Sequence, residues 1–444
     1  MKSPMNVVLI FTDQMRGQAM GVAGNPNVHT PHIDALAAGG VYLPNMIANN
    51  PVCSPARATI LTGTYPHKHG MIVNDLRLAE DRRTIAEILA EAGYATAFVG
   101  KWHLDGGERM PGFVPPGPRR QGFEFWAANE CNHNHSNSVY FHDDDTPIPI
   151  KKYETEVWMD ETIRFIRANR SKPFFVWYAC GPPHNPYGAP PEFERLYDPE
   201  KLILRPNWRA GTRWGSREDI AQYYAAVTAI DVAIGRLMRV LDELDLADDT
   251  IVLFTSDHGD MLGSQGLAFK SKPYAESIVV PGVLHYPRRI APGRRSDLLV
   301  SHVDFMPTLL SMCGVAVPEG LHGRDLSAHL TNQGPARTQE PEAVFLQFYE
   351  PRHRHGIPAG WRGVRTKRYT YARLEDRPWM LFDIENDPYE LNNLADDPAY
   401  TLLRDNYDAM IAAEMARTGD DWSVNRPEEI IMHTRPASYV PADR

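Results

Sequence analysis

The run Asn6-Val7-Val8-Leu9-Ile10-Phe11-Thr12-Asp13-Gln14 joins a continuous apolar stretch to two polar side chains. Four other short apolar runs have the same character, and none alternates strictly between apolar and polar residues. Such runs are typical of strands that are buried on both faces of a sheet. The predicted strands are Asn6–Thr12, Ala95–Gly100, Pro173–Ala179, Thr250–Ser256 and Pro281–Tyr286.

Segments with apolar residues at three- and four-residue spacing lie between these runs and predict helices. Strands that alternate with helices over roughly the first 330 residues indicate an α/β domain, with a large, mainly parallel sheet between layers of helices. The predicted helices are Thr84–Ala92, Glu154–Asn169, Arg217–Leu244 and Asp304–Met312.

A polar stretch near Thr331–Pro341 predicts a domain boundary. We therefore expect a large α/β domain over residues 1–335 and a smaller α+β subdomain over residues 336–444. The second region is predicted to contain an antiparallel sheet, a helix at Tyr400–Ala416 and an irregular tail from Arg426. The strands predicted for this sheet are Ala343–Tyr349, Trp361–Val364, Arg368–Ala372 and Trp379–Asp383.

The composition argues against several classes of protein. The 444 residues are 43% hydrophobic and 23% charged, which is ordinary for a globular protein. No window approaches the ~20 apolar residues of a membrane span. The net charge of -10 and the lack of a long basic stretch argue against nucleic acid as a partner. The four cysteines lack paired spacing, so no disulfide framework is expected. The first apolar run is too short for the core of a signal peptide, which predicts a cytoplasmic location.

Polar side chains follow four of the predicted strands at their carboxyl ends, where parallel α/β sheets bind their ligands. They are Asp13-Gln14, Lys101-Trp102-His103, His184-Asn185 and Asp257-His258. Asp13-Gln14 and Asp257-His258 together offer mostly oxygen ligands, which favour a hard divalent cation such as calcium, magnesium or manganese over zinc. The alternative is that Asp257 and His258 only order the glycine-rich loop Gly259–Gly266.

A second group of residues lies in the run Cys53-Ser54-Pro55-Ala56-Arg57. Pro55 suits the first turn of a helix that runs to Leu61, and Cys53 and Arg57 project from one face near its start. The unpaired N–H groups and partial positive charge of that end favour an anion. Position and spacing alone leave two interpretations open: a nucleophile beside an anion site, or a reactive thiol whose pKa the helix lowers.

The Cys53 segment, extended by Ala58-Thr59 and Leu61-Thr62-Gly63, resembles the activation motif of formylglycine-dependent sulfatases, a family of the alkaline phosphatase superfamily. Cys-x-Pro-x-Arg followed by Leu-Thr-Gly is a highly specific pattern. Other landmarks of that family recur in order along nearly the whole chain. They are Asp13, Gly100-Lys101-Trp102-His103, Pro183-His184, Ser256-Asp257-His258-Gly259, Lys270 four residues before Tyr274, Asp304-Phe305-Met306-Pro307-Thr308-Leu309-Leu310, and Asp383 with Asp387-Pro388 and Glu390-Leu391.

The resemblance implies an alkaline phosphatase-like fold and a nucleophile made from Cys53. A maturation enzyme would oxidise Cys53 to formylglycine, whose hydrate attacks sulfur and then expels sulfate as the aldehyde re-forms. The implied cofactor is one divalent metal, held by Asp13, Asp257, His258 and the modified Cys53. Calcium is the preferred candidate for this metal, with manganese and magnesium as alternatives. Gln14 occupies a ligand position where many relatives carry Asp, so it keeps an oxygen ligand but removes one negative charge.

The resemblance also implies roles for the remaining polar residues. Arg57 is expected to hold the formylglycine, and Lys101 and Lys270 are expected to neutralise sulfate oxygens. His103 is expected to act as a base in the breakdown of the intermediate, and His184 to protonate the leaving alcohol. Lys272 is the alternative to Lys270, although its spacing to Tyr274 fits the family worse.

The loop Glu130–Asn137 is dense in hydrogen-bonding side chains and follows three aromatic residues, a mixture that suits a sugar ring. Its candidate substrate-binding residues are Asn132, His133 and His135, and the alternative is a polar surface loop. In the second domain, His353 and Arg354 cluster with His355 in a loop bounded by Gly and Pro. These residues are candidates for contact with a further anionic group.

The resemblance therefore implies hydrolysis of a sulfate ester. The expected substrate is a sulfated carbohydrate, with aryl sulfates as weaker model substrates. A phosphonate monoester or phosphodiester hydrolase of the same superfamily is the alternative, because tetrahedral anions of sulfur and phosphorus need similar cation cages. A catalytically silent anion-binding protein is the third hypothesis, but it requires the loss of a core residue, and the sequence retains them all. The irregular tail from Arg426 could pack against another subunit, so a homo-oligomer remains one of the hypotheses.

Overall fold

The computed structural model describes residues 5–107, 109–331, 339–349 and 357–423. The strands in these ranges are β1 (Asn6–Asp13), β2 (Val41–Tyr42), β3 (Met46–Ile47), β4 (Ala95–Lys101), β5 (Phe125–Asn129), β6 (Ser138–Tyr140), β7 (Ile148–Ile150), β8 (Phe174–Pro183), β9 (Thr250–Ser256), β10 (Val283–His285), β11 (Arg294–Arg295), β12 (Val300–Ser301), β13 (Val344–Phe348), β14 (Trp361–Arg365), β15 (Tyr369–Arg373) and β16 (Pro378–Asp383). The α-helices are α1 (Pro31–Ala38), α2 (Cys53–Thr62), α3 (Pro66–His69), α4 (Ile85–Glu91), α5 (Glu154–Asn169), α6 (Pro191–Glu194), α7 (Arg217–Glu243), α8 (Ala275–Ile278), α9 (Phe305–Cys313), α10 (Ser327–Thr331) and α11 (Thr401–Thr418).

Eight of these strands form the central sheet, in the order β11-β2-β10-β9-β1-β8-β4-β5. The strands from β9 to β5 run parallel to one another, whereas β10 runs antiparallel to both of its neighbours. The four central strands β9, β1, β8 and β4 are buried along their whole length. The predicted sheet, mainly parallel and covered on both faces, is confirmed.

Alternate side chains of β1 enter two separate apolar clusters, one on each face of the sheet. Val7, Leu9 and Phe11 belong to the cluster that contains the apolar faces of α2, α4 and α9. Val8 and Ile10 belong to the cluster that contains those of α1, α5 and α7. A continuous apolar run can supply two cores because successive side chains of a strand point to opposite faces.

The predicted bounds agree with the structure except at the ends of elements and in short strands. Strand β9 and helix α5 match their predictions, whereas β10 is shorter than the predicted Pro281–Tyr286. Thr84 is the N-cap of α4 rather than its first residue, and it forms a reciprocal capping box with Glu87. Strand β5 and the β6–β7 hairpin were not predicted, because runs of five and three residues carry too little periodicity to be recognised.

Strands β13 to β16 form a separate antiparallel sheet in sequence order, as predicted for the C-terminal subdomain. One face of this sheet packs against apolar side chains of α11. The other face packs against Val52, Ala275 and Ile278 of the α/β domain, so it lies beside the start of α2. The predicted boundary at residue 335 and the predicted tail from Arg426 lie outside the described residues. Among the described helices, none is both long enough and apolar enough to span a bilayer.

Candidate active site

The four strand ends that carry the predicted polar residues are neighbours in the sheet, in the order β9, β1, β8 and β4. Because these strands are parallel, their carboxyl ends bring to one edge Asp257-His258, Asp13, His184 and Lys101. The unpredicted strand β5 supports the same edge. The backbone N–H groups of Trp102 and His103 donate to the carbonyls of Asn129 and Glu130 at 2.9 and 2.6 Å.

Cys53 is the first residue of α2 and lies at the centre of this edge. Its Sγ is 3.2 Å from His258 Nε2, 3.7 Å from Lys270 Nζ and 3.8 Å from Asp13 Oδ1. The start of the helix is capped from another segment, because the Ser54 N–H donates to Asn74 Oδ1 at 2.9 Å. The predicted position of Cys53 at a helix N-terminus is thus confirmed.

The surroundings of Cys53 favour negative charge at its side chain. Burial and the Asp13 carboxylate oppose ionisation of the thiol, but Lys270, His258 and Lys101 hold its pKa well below the ordinary value. The same cations would stabilise an oxyanion that replaced the sulfur. The electrostatics therefore fit both interpretations of the sequence, a thiolate and an oxygen nucleophile.

The residues predicted to bind a metal form a compact buried group. Asp13, Cys53, Asp257 and His258 each offer one ligand atom, and these atoms lie within 4.8 Å of one another. Burial and the neighbouring Asp13 raise the pKa of Asp257, because two carboxylates share one buried space. A divalent cation between them would relieve this repulsion. The donor set therefore fits a hard metal ion of the kind predicted.

Gln14 follows Asp13 in the left-handed region, with φ of +69°. Its amide oxygen accepts a hydrogen bond from Lys270 Nζ at 2.6 Å, and its amide nitrogen donates to Asp260 Oδ2 at 2.7 Å. The role of Gln14 as a metal ligand stays a prediction. An amide carries no charge, so Gln14 orients the Lys270 ammonium without neutralising it, and the positive charge stays available to an anion.

Arg57 and Lys101 both pair with the buried Asp13. Arg57 Nη2 lies 3.2 Å from Asp13 Oδ2 and 3.4 Å from Asp257 Oδ2, and Lys101 Nζ lies 2.7 Å from Asp13 Oδ2. Arg57 Nη1 also donates to the Lys101 carbonyl at 2.6 Å, which ties α2 to the end of β4. Burial by itself raises the pKa of Asp13, but Lys101, His184 and Arg57 hold it well below the ordinary value. Asp13 is therefore a permanent anion at the base of the site.

His103 is held by an acid that the sequence did not identify. Its Nε2 lies 3.0 Å from Asp75 Oδ1, and Asp75 is also bound by Arg109 Nε at 3.1 Å. Burial lowers the pKa of His103, but the Cys131 sulfur and Asp75 raise it well above the ordinary value. The protonated ring that results donates protons rather than accepting them, so the role of His103 as a base stays a prediction.

His184 and Lys270 lie side by side near Cys53. His184 Nδ1 donates to the Asn185 carbonyl at 2.6 Å, which leaves Nε2 as the acceptor for Lys270 Nζ at 3.2 Å. Burial and the Lys270 charge lower the pKa of His184 well below the ordinary value. Of the two candidate lysines, Lys270 reaches Cys53, whereas Lys272 forms no hydrogen bond or ion pair with any described residue.

The residues predicted to bind substrate do not share one role. His133 stacks on His184 with ring centroids 4.6 Å apart, so it borders the site. Asn132 closes its own turn by a hydrogen bond to the Asn134 carbonyl, and His135 Nε2 lies 2.9 Å from the His184 carbonyl. Both are buried and hold the loop in place, and their role in substrate binding stays a prediction. His353, Arg354 and His355 lie outside the described residues.

Sequence reasoning missed Asn74, Asp75 and Cys131, which contact the site through other residues. Asn74-Asp75 lies in a loop between α3 and α4, and its partners Ser54 and His103 are 20 and 28 residues away along the chain. No spacing rule joins residues so far apart in irregular segments. Asp75 has φ of +68°, a conformation that the sequence also did not mark.

The buried carboxyl of Glu130, beside this network, is expected to make the stability of the protein depend on pH. Burial raises the pKa of Glu130 to about 8, against the opposing effect of His103. The unfolded chain ionises this carboxyl near pH 4.5, so the folded state loses stability as the pH rises from there to 8. We expect Glu130→Gln to stabilise the protein relative to wild type at pH 8, by about 2 kcal/mol, and not at pH 4.5. Denaturant unfolding at both pH values measures this, with the exposed Glu124→Gln as control; equal effects at the two pH values would contradict it.

Comparison with known proteins agrees with this geometry. Residues 5–315 match the sulfatase family, and residues 263–416 match the C-terminal region of N-sulphoglucosamine sulphohydrolase. An ulvan-active sulfatase of Formosa agariphila is 39% identical over 425 residues, which cover 94% of this chain and 82% of that protein. The YidJ sulfatase of Bacteroides fragilis is 31% identical with a TM-score of 0.86, over 95% of this chain and 97% of that one.

Two further solved structures bear on the chemistry and on the fold. One, in complex with its substrate D-glucosamine-2-N,6-O-disulfate, is 25% identical with a TM-score of 0.85, over 95% of this chain and 99% of that one. The other is a phosphonate monoester hydrolase of Agrobacterium radiobacter, 23% identical with a TM-score of 0.77, over 93% of this chain and 96% of that one. At that identity the second likeness shows a shared fold only.

A mainly parallel α/β sheet that gathers buried acids, cations and a helix-terminal cysteine at one edge is suited to the hydrolysis of an anionic ester. The chain belongs to the sulfatase family, the enzymes that hydrolyse sulfate esters.

Proposed function

We propose that this sulfatase uses a formylglycine made from Cys53, binds a calcium ion beside it, and releases sulfate from a sulfated carbohydrate. The observation that carries the proposal is the position of Cys53. It begins α2 in the sequence context of the activation motif, and His258, Lys270 and Asp13 surround its side chain within 3.8 Å. A maturation enzyme in the host is required to convert the thiol.

The residues around Cys53 supply what an oxygen nucleophile and a sulfate group need. When present, the formylglycine hydrate provides the attacking oxygen, and the metal reduces the charge that this oxygen must carry. Arg57 and Lys101 hold Asp13 in place and balance its charge. The Lys270 ammonium lies between Cys53 and His184 and keeps its charge, so we assign it to a sulfate oxygen.

His184 is the imidazole assigned to the leaving alcohol. Its Nδ1–H is fixed by the Asn185 carbonyl, so Nε2 is the atom that can carry a second proton. In the free site, burial and Lys270 lower the pKa of His184 and keep this ring neutral. A sulfate oxygen that takes over the hydrogen bond of Lys270 would free Nε2 for that proton, which couples binding of the substrate to formation of the acid.

A carbohydrate substrate is supported by the rim of the site and by the relatives. His133 presents a ring stacked on His184, and a flat half-buried surface of this kind suits a sugar face. One similar structure holds a sulfated glucosamine as its substrate. Aryl sulfates are expected to be weaker model substrates, because they lack the contacts of a sugar ring.

A side-by-side assay of an aryl sulfate and the matching aryl phosphonate monoester tests the proposed reaction. We expect the sulfate to have the higher kcat/KM, since the chain belongs to the sulfatase family and its similarity to phosphonate hydrolases extends to the fold alone. Enzyme that carries formylglycine and calcium, with its content of both confirmed, should be used. A clear preference for the phosphonate would replace the proposed function with the alternative hydrolase.

A further inference from the structure

Lys272 is a buried cation that the proposed chemistry does not use. It is 3% exposed, yet no described residue accepts a hydrogen bond from its ammonium or lies in ion-pair distance of it. The other buried lysines and arginines near Cys53 have acceptors: Lys101 and Arg57 have Asp13, and Lys270 has Gln14. An unpaired charge in a buried place is costly to the folded state, and such groups are enriched where a ligand completes them.

The segment that carries Lys272 is held rigidly on three sides. The Phe269 N–H donates to Asp260 Oδ1 at 3.1 Å, and the Trp361 Nε1–H donates to the Ser271 carbonyl at 3.1 Å. The Ala275 N–H donates to Glu390 Oε2 at 2.7 Å. The position of Lys272 is therefore set by contacts with both the α/β domain and the antiparallel sheet, and the side chain lies where these two parts meet.

Lys272 lies two residues along the chain from Lys270, the lysine assigned to the transferred sulfate. Lys270 touches Cys53 and His184, and two residues of chain span at most about 7 Å. A group one sugar ring away from the transferred sulfate is therefore within reach of a lysine side chain.

We propose that Lys272 binds a second anionic group of the substrate, a carboxylate or a further sulfate on the sugar that carries the scissile ester or on the adjoining sugar. This inference rests on the proposed function and names the substrate class more closely: a carbohydrate with at least two anionic groups. Burial lowers the pKa of Lys272 to about 8, the direction expected of an ammonium that lacks a counter-ion in the free protein. An anion from the substrate supplies that counter-ion and restores the charged state.

Three matched disaccharides test the assignment: one with the scissile sulfate alone, one with an added hexuronate carboxylate, and one with an added second sulfate. In wild type, we expect at least one of the two doubly anionic substrates to have a higher kcat/KM than the singly sulfated one. Lys272→Met should reduce that preference by about 10- to 100-fold, mainly through KM, because a charge-assisted hydrogen bond to the ligand is lost. Lys272→Arg should retain most of it. The carboxylate and sulfate arms show which group is bound.

Thermal unfolding of the free enzyme provides a second readout that does not need turnover. Removal of an unpaired buried charge should raise the Tm of Lys272→Met by about 2–4 °C, whereas a merely structural lysine would lower it. The exposed Lys172→Met is the matched control and should change neither the preference nor the Tm. A wild-type enzyme without any preference for a second anionic group, or equal losses on all three substrates, overturns the inference. A wild type that hydrolyses none of the sulfate esters contradicts the proposed function instead.

Discussion

Replacement of Cys53 by alanine is expected to abolish sulfate-ester hydrolysis, with kcat/KM lowered by about 10⁴-fold or more. In the proposed reaction the side chain at this position becomes the nucleophile, and no neighbouring group can replace it. His258, Lys270 and Asp13 approach the Cys53 side chain closely, but they stabilise charge or bind metal rather than attack sulfur. The fold should survive, because the variant removes one sulfur atom from the first residue of α2 and leaves the Asn74 cap intact.

Peptide mass across Asn50–Arg57 gives the same prediction a chemical readout. Active wild type should show this peptide ~18 Da lighter than the cysteine form, as a covalent conversion of thiol to aldehyde requires. Cys313→Ala, at a partly buried cysteine in α9, is the matched control and should keep both the activity and the mass change. Full activity in a preparation whose Cys53 is unmodified would refute the mechanism and restore the thiolate interpretation.

Asp13→Asn is expected to remove the metal, lower kcat/KM by about 10³-fold and destabilise the protein by about 3–5 kcal/mol. Asp13 is fully buried, and its carboxylate is shared by Lys101 and Arg57. An amide would leave the buried Lys101 without its counter-ion and would leave Arg57 paired with Asp257 alone. It would also remove one of the two carboxylates available to a divalent cation.

Metal content by mass spectrometry and unfolding by denaturant separate these effects. Asp231→Asn is the matched control, because Asp231 is equally buried but lies away from the site, where its Oδ1 accepts the N–H groups of His32 and Ile33 at 2.9 and 2.7 Å. An asparagine oxygen can keep both hydrogen bonds, so this variant should retain the metal and the activity. If Asp13→Asn retained stoichiometric metal, the proposed ligand group would be wrong.

Much of the fold could be predicted from the sequence because burial leaves a local pattern. The runs at Asn6–Thr12 and Thr250–Ser256 are strands, and Glu154–Asn169 is a helix with the predicted bounds. The four strands of the C-terminal sheet were likewise recognised. Strand β5 was not predicted, although it supports the backbone of Trp102 and His103. Its pairing with β4 is a tertiary contact, and a run of five residues has no local pattern that predicts it.

The composition of the candidate site was also predictable, but its internal contacts were not. The sequence named Asp13, Cys53, Asp257 and His258, and the structure brings them within 4.8 Å of one another. It also predicted Asn132 and His135 as substrate residues; in the structure Asn132 donates to the Asn134 carbonyl of its own loop, and His135 contacts the His184 carbonyl. A polar side chain in a loop can bind either a ligand or the protein backbone, and residue type alone does not distinguish these two cases.

Spacing along the chain was enough to predict that polar residues follow four of the strands, that Cys53 lies at a helix N-terminus and that the chain resembles the sulfatase family. Only the tertiary structure decided that Lys270 rather than Lys272 reaches Cys53, that Gln14 orients Lys270, and that Asp75 holds His103. These pairings join segments 28 to 256 residues apart. Their distances are set by how the sheet, α2 and the loops pack together, which no local pattern records.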